Sequence, residues 1–212
     1  MLVDAEGAFM TQRRHPKLAL VDVALGTESI TIGGEIEVPL ALPSSLERAK
    51  VTVWKDTVEA IAVPGDASQW FSDRLGVACT LYWMPPDVDR PGFTDEFPIL
   101  VASLASLADL NARLDAPVSM DRFRPNLVVE GGEAFDEERH PCVTVGGVRM
   151  SLAKRCARCE VTTVNQQTAE VGKEPLRTLA SYRREDNHVY FAMNAIPEAE
   201  GRVSVNDSVE YA

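Results

Sequence analysis

The sequence predicts a mainly β protein with a few helices, of the barrel or sandwich kind. Three observations carry this. Short runs rich in Val, Ile and Thr recur along the chain, and branching at Cβ suits a pleated, half-buried surface. Two pairs of runs flank a Gly-Gly dipeptide: Ile30-Thr31-Ile32 and Ile36-Glu37-Val38 around Gly33-Gly34, and Val143-Thr144-Val145 and Val148-Arg149-Met150 around Gly146-Gly147. Two glycines between strands signal a hairpin, because a type I′ turn needs positive φ at both central residues. Three stretches read as helices, and many short strands joined by Gly-containing turns favour a barrel or sandwich.

The elements follow in order. Leu2-Val3 is a short apolar start, and Lys17 to Leu25 alternates in part, with Leu18, Leu20 and Val23 expected inward. Val51 to Trp54 is a strand. Asp66 to Leu75 reads as a helix, with Asp66 or Ser68 as cap and Gly76 as stop. Cys79 to Met84 is a strand that ends at Pro85-Pro86. Pro85 to Pro91 holds three prolines and two aspartates, which marks a linker between a unit at 1–88 and a unit at 92–212. In the second unit, Ile99 to Ala102 is a strand and Ser103 to Leu114 an amphipathic helix. Its Leu104, Leu107, Leu110 and Leu114 recur at helical spacing and are assigned to the core. Phe123 to Val129 gives a loop and a strand, and Pro125 forces Arg124 out of the right-handed helical region. Glu174 to Arg184 is a helix with Pro175 in its first turn. Val203 and Val209 are assigned to strands around an Asn206-Asp207 turn.

Composition limits the function. The chain has 212 residues, 45% hydrophobic and 25% charged, as expected of a globular protein with one or two domains. Its net charge of −11 argues against nucleic acid or an anionic membrane as partner. No apolar run reaches the ~18 residues of a membrane span. An acidic residue within the first four positions argues against a signal peptide, and the four cysteines lack a framework spacing, which suits a reducing cytoplasm.

One stretch concentrates chemistry. Lys154-Arg155-Cys156-Ala157-Arg158-Cys159 sets two thiols among three cations and runs into Glu160-Val161-Thr162-Thr163-Val164. The β-branched residues predict a loop entering a strand, with Cys159 at the junction. A thiol near fixed positive charge is more easily held as thiolate. A structural zinc site would need about four ligands, and Cys79 and Cys142 are isolated. A thioredoxin-type motif would open a helix after a strand. Two ordinary buried thiols remain the plain alternative. In an extended segment Cys156 and Cys159 point to opposite faces.

The string Arg158-Cys159-x-x-Thr162-Thr163-Val164, with Glu174-Pro175-Leu176-x-Thr178-Leu179-x-Ser181-Tyr182-Arg183 after it and Arg122-Phe123-Arg124-Pro125-Asn126-Leu127-Val128-Val129 before it, resembles the MOSC domain, the C-terminal module of molybdenum cofactor sulfurases. The resemblance is strongest to the branch of the mitochondrial amidoxime-reducing component and bacterial N-hydroxylaminopurine-reducing proteins. It implies that the second unit is the MOSC β-barrel and that the first is the MOSC N-terminal β subdomain. It also implies that Cys159 is the metal ligand, with Asp95 beside the metal. Thr11-x-Arg13-x-x-Pro16 is similar to a family motif whose arginine touches the cofactor's phosphate, so Arg13 takes that role. The resemblance implies Arg124, Asn126, Arg158, Thr162 and Asn194 as the other cofactor-binding positions. Tyr190-Phe191-Ala192-Met193-Asn194 resembles a Phe-Gly-Gln-Asn motif, from which Ala192 and Met193 depart.

The resemblance implies a molybdenum–molybdopterin cofactor and an oxidoreductase that reduces N-hydroxylated compounds, a detoxification role, with family-level terms for molybdenum ion and pyridoxal phosphate binding. The chain shows no flavin fingerprint and no iron–sulfur cysteine set, so electrons come from a separate flavin- or iron–sulfur-containing protein. Two other classes stay open: a sulfur carrier with a persulfide on Cys159, and a non-catalytic MOSC protein. In the resembling proteins a strand and a Lys-Ser-containing loop precede the position of Leu2. The expectation is therefore a first subdomain lacking its first strand, with an unpaired edge open to homodimer formation.

Overall fold

The computed structural model describes residues 1–212 except 44, 90, 91, 94 and 95. The chain is mainly β and divides into two units, residues 1–96 with 167–170, and residues 97–166 with 171–212.

The first unit contains β1 (Leu2–Asp4), β2 (Val23–Leu25), β3 (Ser29–Ile32), β4 (Ile36–Pro39), β5 (Arg48–Val53), β6 (Asp56–Ala62), α1 (Ala67–Leu75) and β7 (Cys79–Trp83). A four-stranded sheet runs β1-β7-β6-β5, and a three-stranded sheet runs β2-β3-β4. The Gly33-Gly34 hairpin is present, but Ile32 pairs with Ile36, so its loop has a third residue, Glu35. Gly33 has φ of 60°, and a Cβ there would sit 2.2 Å from Trp70 Cζ2, so both the turn and the indole require glycine. The α1 helix ends at Gly76 in the left-handed conformation, as expected.

The expected open edge at β1 is corrected. Asp4 N–H donates to Ala8 O and Met10 N–H to Leu2 O, both at 2.9 Å. On the other side, Phe9 N–H donates to Thr52 O at 3.1 Å and Thr52 N–H to Gly7 O at 2.9 Å. Residues 7–10 thus form a strap bonded to both β1 and β5. The residue types at 7–10 carry no strand signal; backbone groups make most of the link, and the Asp4 carboxylate also accepts Ala8 N–H at 2.8 Å. Leu20 and Val23, expected inward, are 48% and 59% exposed, because Pro16–Leu20 is a 3₁₀ turn and β2 pairs on one side only. β6 was not anticipated. It pairs with β5 through a tight turn at Trp54-Lys55 that puts Trp54 at φ 57°, a conformation a tryptophan gives no reason to expect.

The second unit contains β8 (Ile99–Ser103), α2 (Leu104–Asn111), β9 (Leu127–Val129), β10 (Cys142–Val145), β11 (Val148–Arg158), α3 (Leu176–Tyr182), β12 (Arg184–Glu185), β13 (His188–Pro197) and β14 (Val209–Tyr211). Its sheet runs β14-β10-β11-β13-β8-β9, a near-closed barrel, with β12 against β13. The Gly146-Gly147 hairpin is a two-residue turn with φ of 56° and 84° and Val145 opposite Val148. Ser103 caps α2 by accepting from Ala105 and Ser106 N–H. Leu110 is fully buried and Leu107 and Leu114 pack on the same cluster, but Leu104 is 41% exposed, because it opens the helix beside its cap. Val203 packs on the core without joining a strand. No helix among the described residues is long and apolar enough to cross a membrane.

A buried carboxyl lies under α2. Glu137 is fully buried and accepts the Ser106 hydroxyl at 3.0 Å, while Ser106 Oγ in turn accepts Phe135 N–H at 2.8 Å. Next to it in sequence, Glu138 pairs with Arg183, whose guanidinium lies 3.9 Å from the Phe135 ring centroid. Burial pushes the Glu137 carboxyl above the ordinary range, against the pull of the Ser106 hydroxyl and Arg183. The folded form therefore binds this proton more tightly than the unfolded chain. The associated stability is complete below the ordinary Glu value of about 4.3 and is lost as pH rises through the raised folded value. Glu137→Gln keeps an acceptor for Ser106 without the titration. It should gain stability relative to the parent between pH 5 and pH 7 in urea unfolding; an unchanged difference across that range would refute the assignment.

Candidate functional site

The site is built on the pairing of β11 with β13. Arg155 pairs with Met193 and Ala157 with Tyr190, so Phe191 and Ala192 oppose Cys156 alone, a β-bulge. Ala192 is fully buried at φ 74°. Glycine takes this conformation without strain, and an L-residue does so at roughly 1–2 kcal/mol. The departure from the Phe-Gly-Gln-Asn pattern thus falls where the backbone turns left-handed.

β11 ends at Arg158. Cys159 is extended, with φ −124° and ψ −179°, and Glu160–Thr163 forms a 3₁₀ turn. The expected order is reversed: the strand precedes the cysteine and a turn follows it. The threonines explain this. Thr162 donates both its N–H and its hydroxyl to Cys159 O, at 3.1 and 3.0 Å, and the Thr163 hydroxyl donates to Glu160 O at 2.8 Å. These local bonds outweigh the extended preference of β-branched residues. Cys159 is exposed and Cys156 half-buried, neither in a disulfide.

Arg158 turns inward. Nη1 donates to Cys156 Sγ at 2.9 Å and Nη2 to Phe123 O at 2.8 Å, while its buried Nε has no hydrogen-bond partner among the described residues. Phe123 stacks on Phe191 of the bulge, with centroids 3.9 Å apart. Phe123 also ends the 3₁₀ turn Met120–Phe123. Arg124 follows at φ 55° and ψ 46° and is exposed, so Pro125 does exclude the right-handed region, but the residue goes left-handed rather than extended.

The other expected residues separate. Asn126 accepts Leu100 N–H on Oδ1 at 2.8 Å and donates its own N–H to Leu100 O at 2.9 Å. Leu100 pairs with Asn194, which pairs with Lys154, so Lys154, Asn194, Leu100 and Asn126 form one row across the sheet. Thr162 is 1% exposed and its hydroxyl is engaged on Cys159, so it holds the turn. Arg155 is ion-paired with Glu185 at 2.5 Å and stacks on Tyr190. Arg13 lies in the first unit, 4.8 Å from the Trp54 ring centroid. Asp95 lies outside the described residues. Sequence reading assigned no role to Arg122, which donates to Thr162 O at 3.3 Å, although its place in the Arg-Phe-Arg string was a signal.

The profile of the MOSC domain matches residues 89–210, and that of the MOSC N-terminal beta barrel domain matches residues 1–78. The chain belongs to the MOSC domain family. This MOSC protein is 30% identical over 210 residues to mitochondrial amidoxime-reducing component 1 of Xenopus laevis, covering 88% of this chain and 61% of that one. It is 32% identical over 240 residues to mitochondrial amidoxime reducing component 2 of Rattus norvegicus, covering 99% and 71%. It is 29% identical over 229 residues to molybdenum cofactor sulfurase of Oryza sativa subsp. japonica, covering 91% and 28%. The chain thus spans about three fifths of the length of the Xenopus relative.

Arg158 bridges two segments of this MOSC unit through separate nitrogens. Arg158→Met should leave the carbonyl of buried Phe123 without that donor and cost about 1.5–3 kcal/mol, the range for bonds to a charged group. Urea unfolding checks this, and a loss under about 0.5 kcal/mol would show the bridge to be incidental.

Proposed function

We propose that this chain holds a molybdenum–pterin cofactor through Cys159 and reduces N-hydroxylated compounds, with electrons from a separate flavin- or iron–sulfur-containing protein. The observation that carries this is an exposed thiol at a strand end, fixed by a threonine-closed turn, in a MOSC chain similar to amidoxime-reducing proteins.

The residues fit such a group. Among the described residues no cluster of three or more His, Cys, Asp or Glu could hold a metal, so a metal on Cys159 needs a cofactor that brings most of its own ligands. A pterin dithiolene does so, and a thiolate suits a sulfur-rich shell. When bound, the cofactor supplies two-electron chemistry at oxygen: an N–O bond is broken with two electrons and two protons, leaving an amine and water. The protein's part is to bind and orient. Cys159 offers its sulfur from an exposed position, and the Thr162 bonds to the Cys159 carbonyl hold that position. Arg124, exposed in its left-handed turn, offers a guanidinium to an anionic phosphate, a match to its fork of donors. Lys154 and Asn194 present a cation and an amide in the neighbouring row. Arg13 is assigned to the phosphate on its Thr-x-Arg-x-x-Pro motif alone, and Asp95 to the metal's vicinity on its motif alone.

Cys159→Ala, made in a molybdopterin-competent host, should lose N-reduction of a model amidoxime and most of its molybdenum, whereas Cys156→Ala should keep most activity. Full activity in Cys159→Ala would end this reading. Sulfane sulfur on Cys159 without metal would instead support the sulfur-carrier alternative. Arg124→Ala and Arg13→Ala should each weaken cofactor binding by about 1.5–3 kcal/mol with little change in folding. Wild-type molybdenum content together with a collapse in thermal stability would make either residue structural.

A further inference from the structure

Two short turns meet in the second unit: Met120–Phe123, which delivers Arg124, and Glu160–Thr163, which follows Cys159. Each is a single 3₁₀ turn, an element with poor hydrogen-bond geometry and little stability of its own. Two guanidinium bonds join them in opposite directions. Arg122, on the first turn, donates from Nη1 to Thr162 O on the second at 3.3 Å. Arg158, just before the second turn, donates from Nη2 to Phe123 O on the first at 2.8 Å. Phe123 and Thr162 are both buried, so their carbonyls need donors inside the protein. Thr162 in turn gives its N–H and hydroxyl to the Cys159 carbonyl. Arg122 is therefore one residue away, through Thr162, from the backbone that carries the thiol.

We infer that Arg122 is a positioning residue: with Arg158 it forms a reciprocal clasp that holds the turn after Cys159 in register with the turn bearing Arg124. The clasp stands on the protein's own bonds; its effect on cofactor retention rests on the function proposed above. Arginine suits the position because its rigid, planar fork of donors, unlike a lysine ammonium, can aim one N–H at a buried carbonyl.

Hydrogen exchange on the metal-free full chain tests the clasp. In Arg122→Met, the Thr162 and Val164 amides, which bond to Cys159 and Val161 carbonyls, should exchange about fivefold faster or more, the loss expected for one hydrogen bond. The amides of Leu152 and Met193 should not change. Arg122→Lys should recover part of the protection. Should Arg122→Met fail to fold, Arg122→Gln should show a smaller rise at the same two amides. Unchanged exchange at Thr162, or a uniform rise that includes Leu152 and Met193, would overturn the clasp. Molybdenum content in a competent host is the separate arm, with about tenfold weaker retention expected for Arg122→Met, as for residues that support a metal ligand from behind. Faster exchange with wild-type retention would overturn the positioning role. A parent protein that also lacks molybdenum would sink the cofactor reading while leaving the clasp standing.

Discussion

The pairing of β11 with β13 is the constraint on which the second unit depends. These are its longest strands, and β13 carries β8 on its other side while β11 carries β10. The ladder is interrupted twice, between Leu152 and Lys154 and between Arg155 and Ala157. In an uninterrupted strand, faces alternate without exception. Each extra residue resets the alternation and bends the strand. Both interruptions lie beside residues of the candidate site: the first adjoins the row of Lys154 and Asn194, and the second places Cys156 opposite Phe191 and Ala192. Phe191 then supports Phe123, Phe123 accepts Arg158, and Arg158 reaches back to Cys156. The site is a closed loop of contacts anchored on one irregular ladder.

Electrostatics within the site differ from what a count of charges suggests. Arg155 is matched by Glu185, and both terminal nitrogens of Arg158 are engaged by protein groups. Arg124 and Lys154 are exposed. An acidic chain can thus present local positive charge to an anion without the whole run of basic residues acting together.

The parts legible in the sequence were those set by local chemistry. The Gly146-Gly147 turn, the α1 stop at Gly76 and the Ser103 cap each follow from one or two residues and a dihedral requirement. The MOSC motifs carried the family. What remained hidden was set by tertiary bonds. The threonines after Cys159 looked extended because propensity speaks for the isolated residue, whereas their hydroxyls close a turn. Arg158 is a cofactor-binding position by resemblance, and the string alone does not show that its two terminal nitrogens bond to Phe123 and Cys156. Leu104 fits the leucine stripe by spacing, yet its place at the helix start leaves it exposed. Trp54 gave no hint of a left-handed turn.

The strap at residues 7–10 has a consequence for how the first unit tolerates changes in length. Most connections between strands can be lengthened at an exposed tip because their ends are fixed independently. Here the same four residues bond to β1 on one side and to β5 on the other. One residue more or fewer would shift the strap's donors and acceptors against both strands together, and no single compensating slip could restore both. The segment has the length tolerance of a central strand.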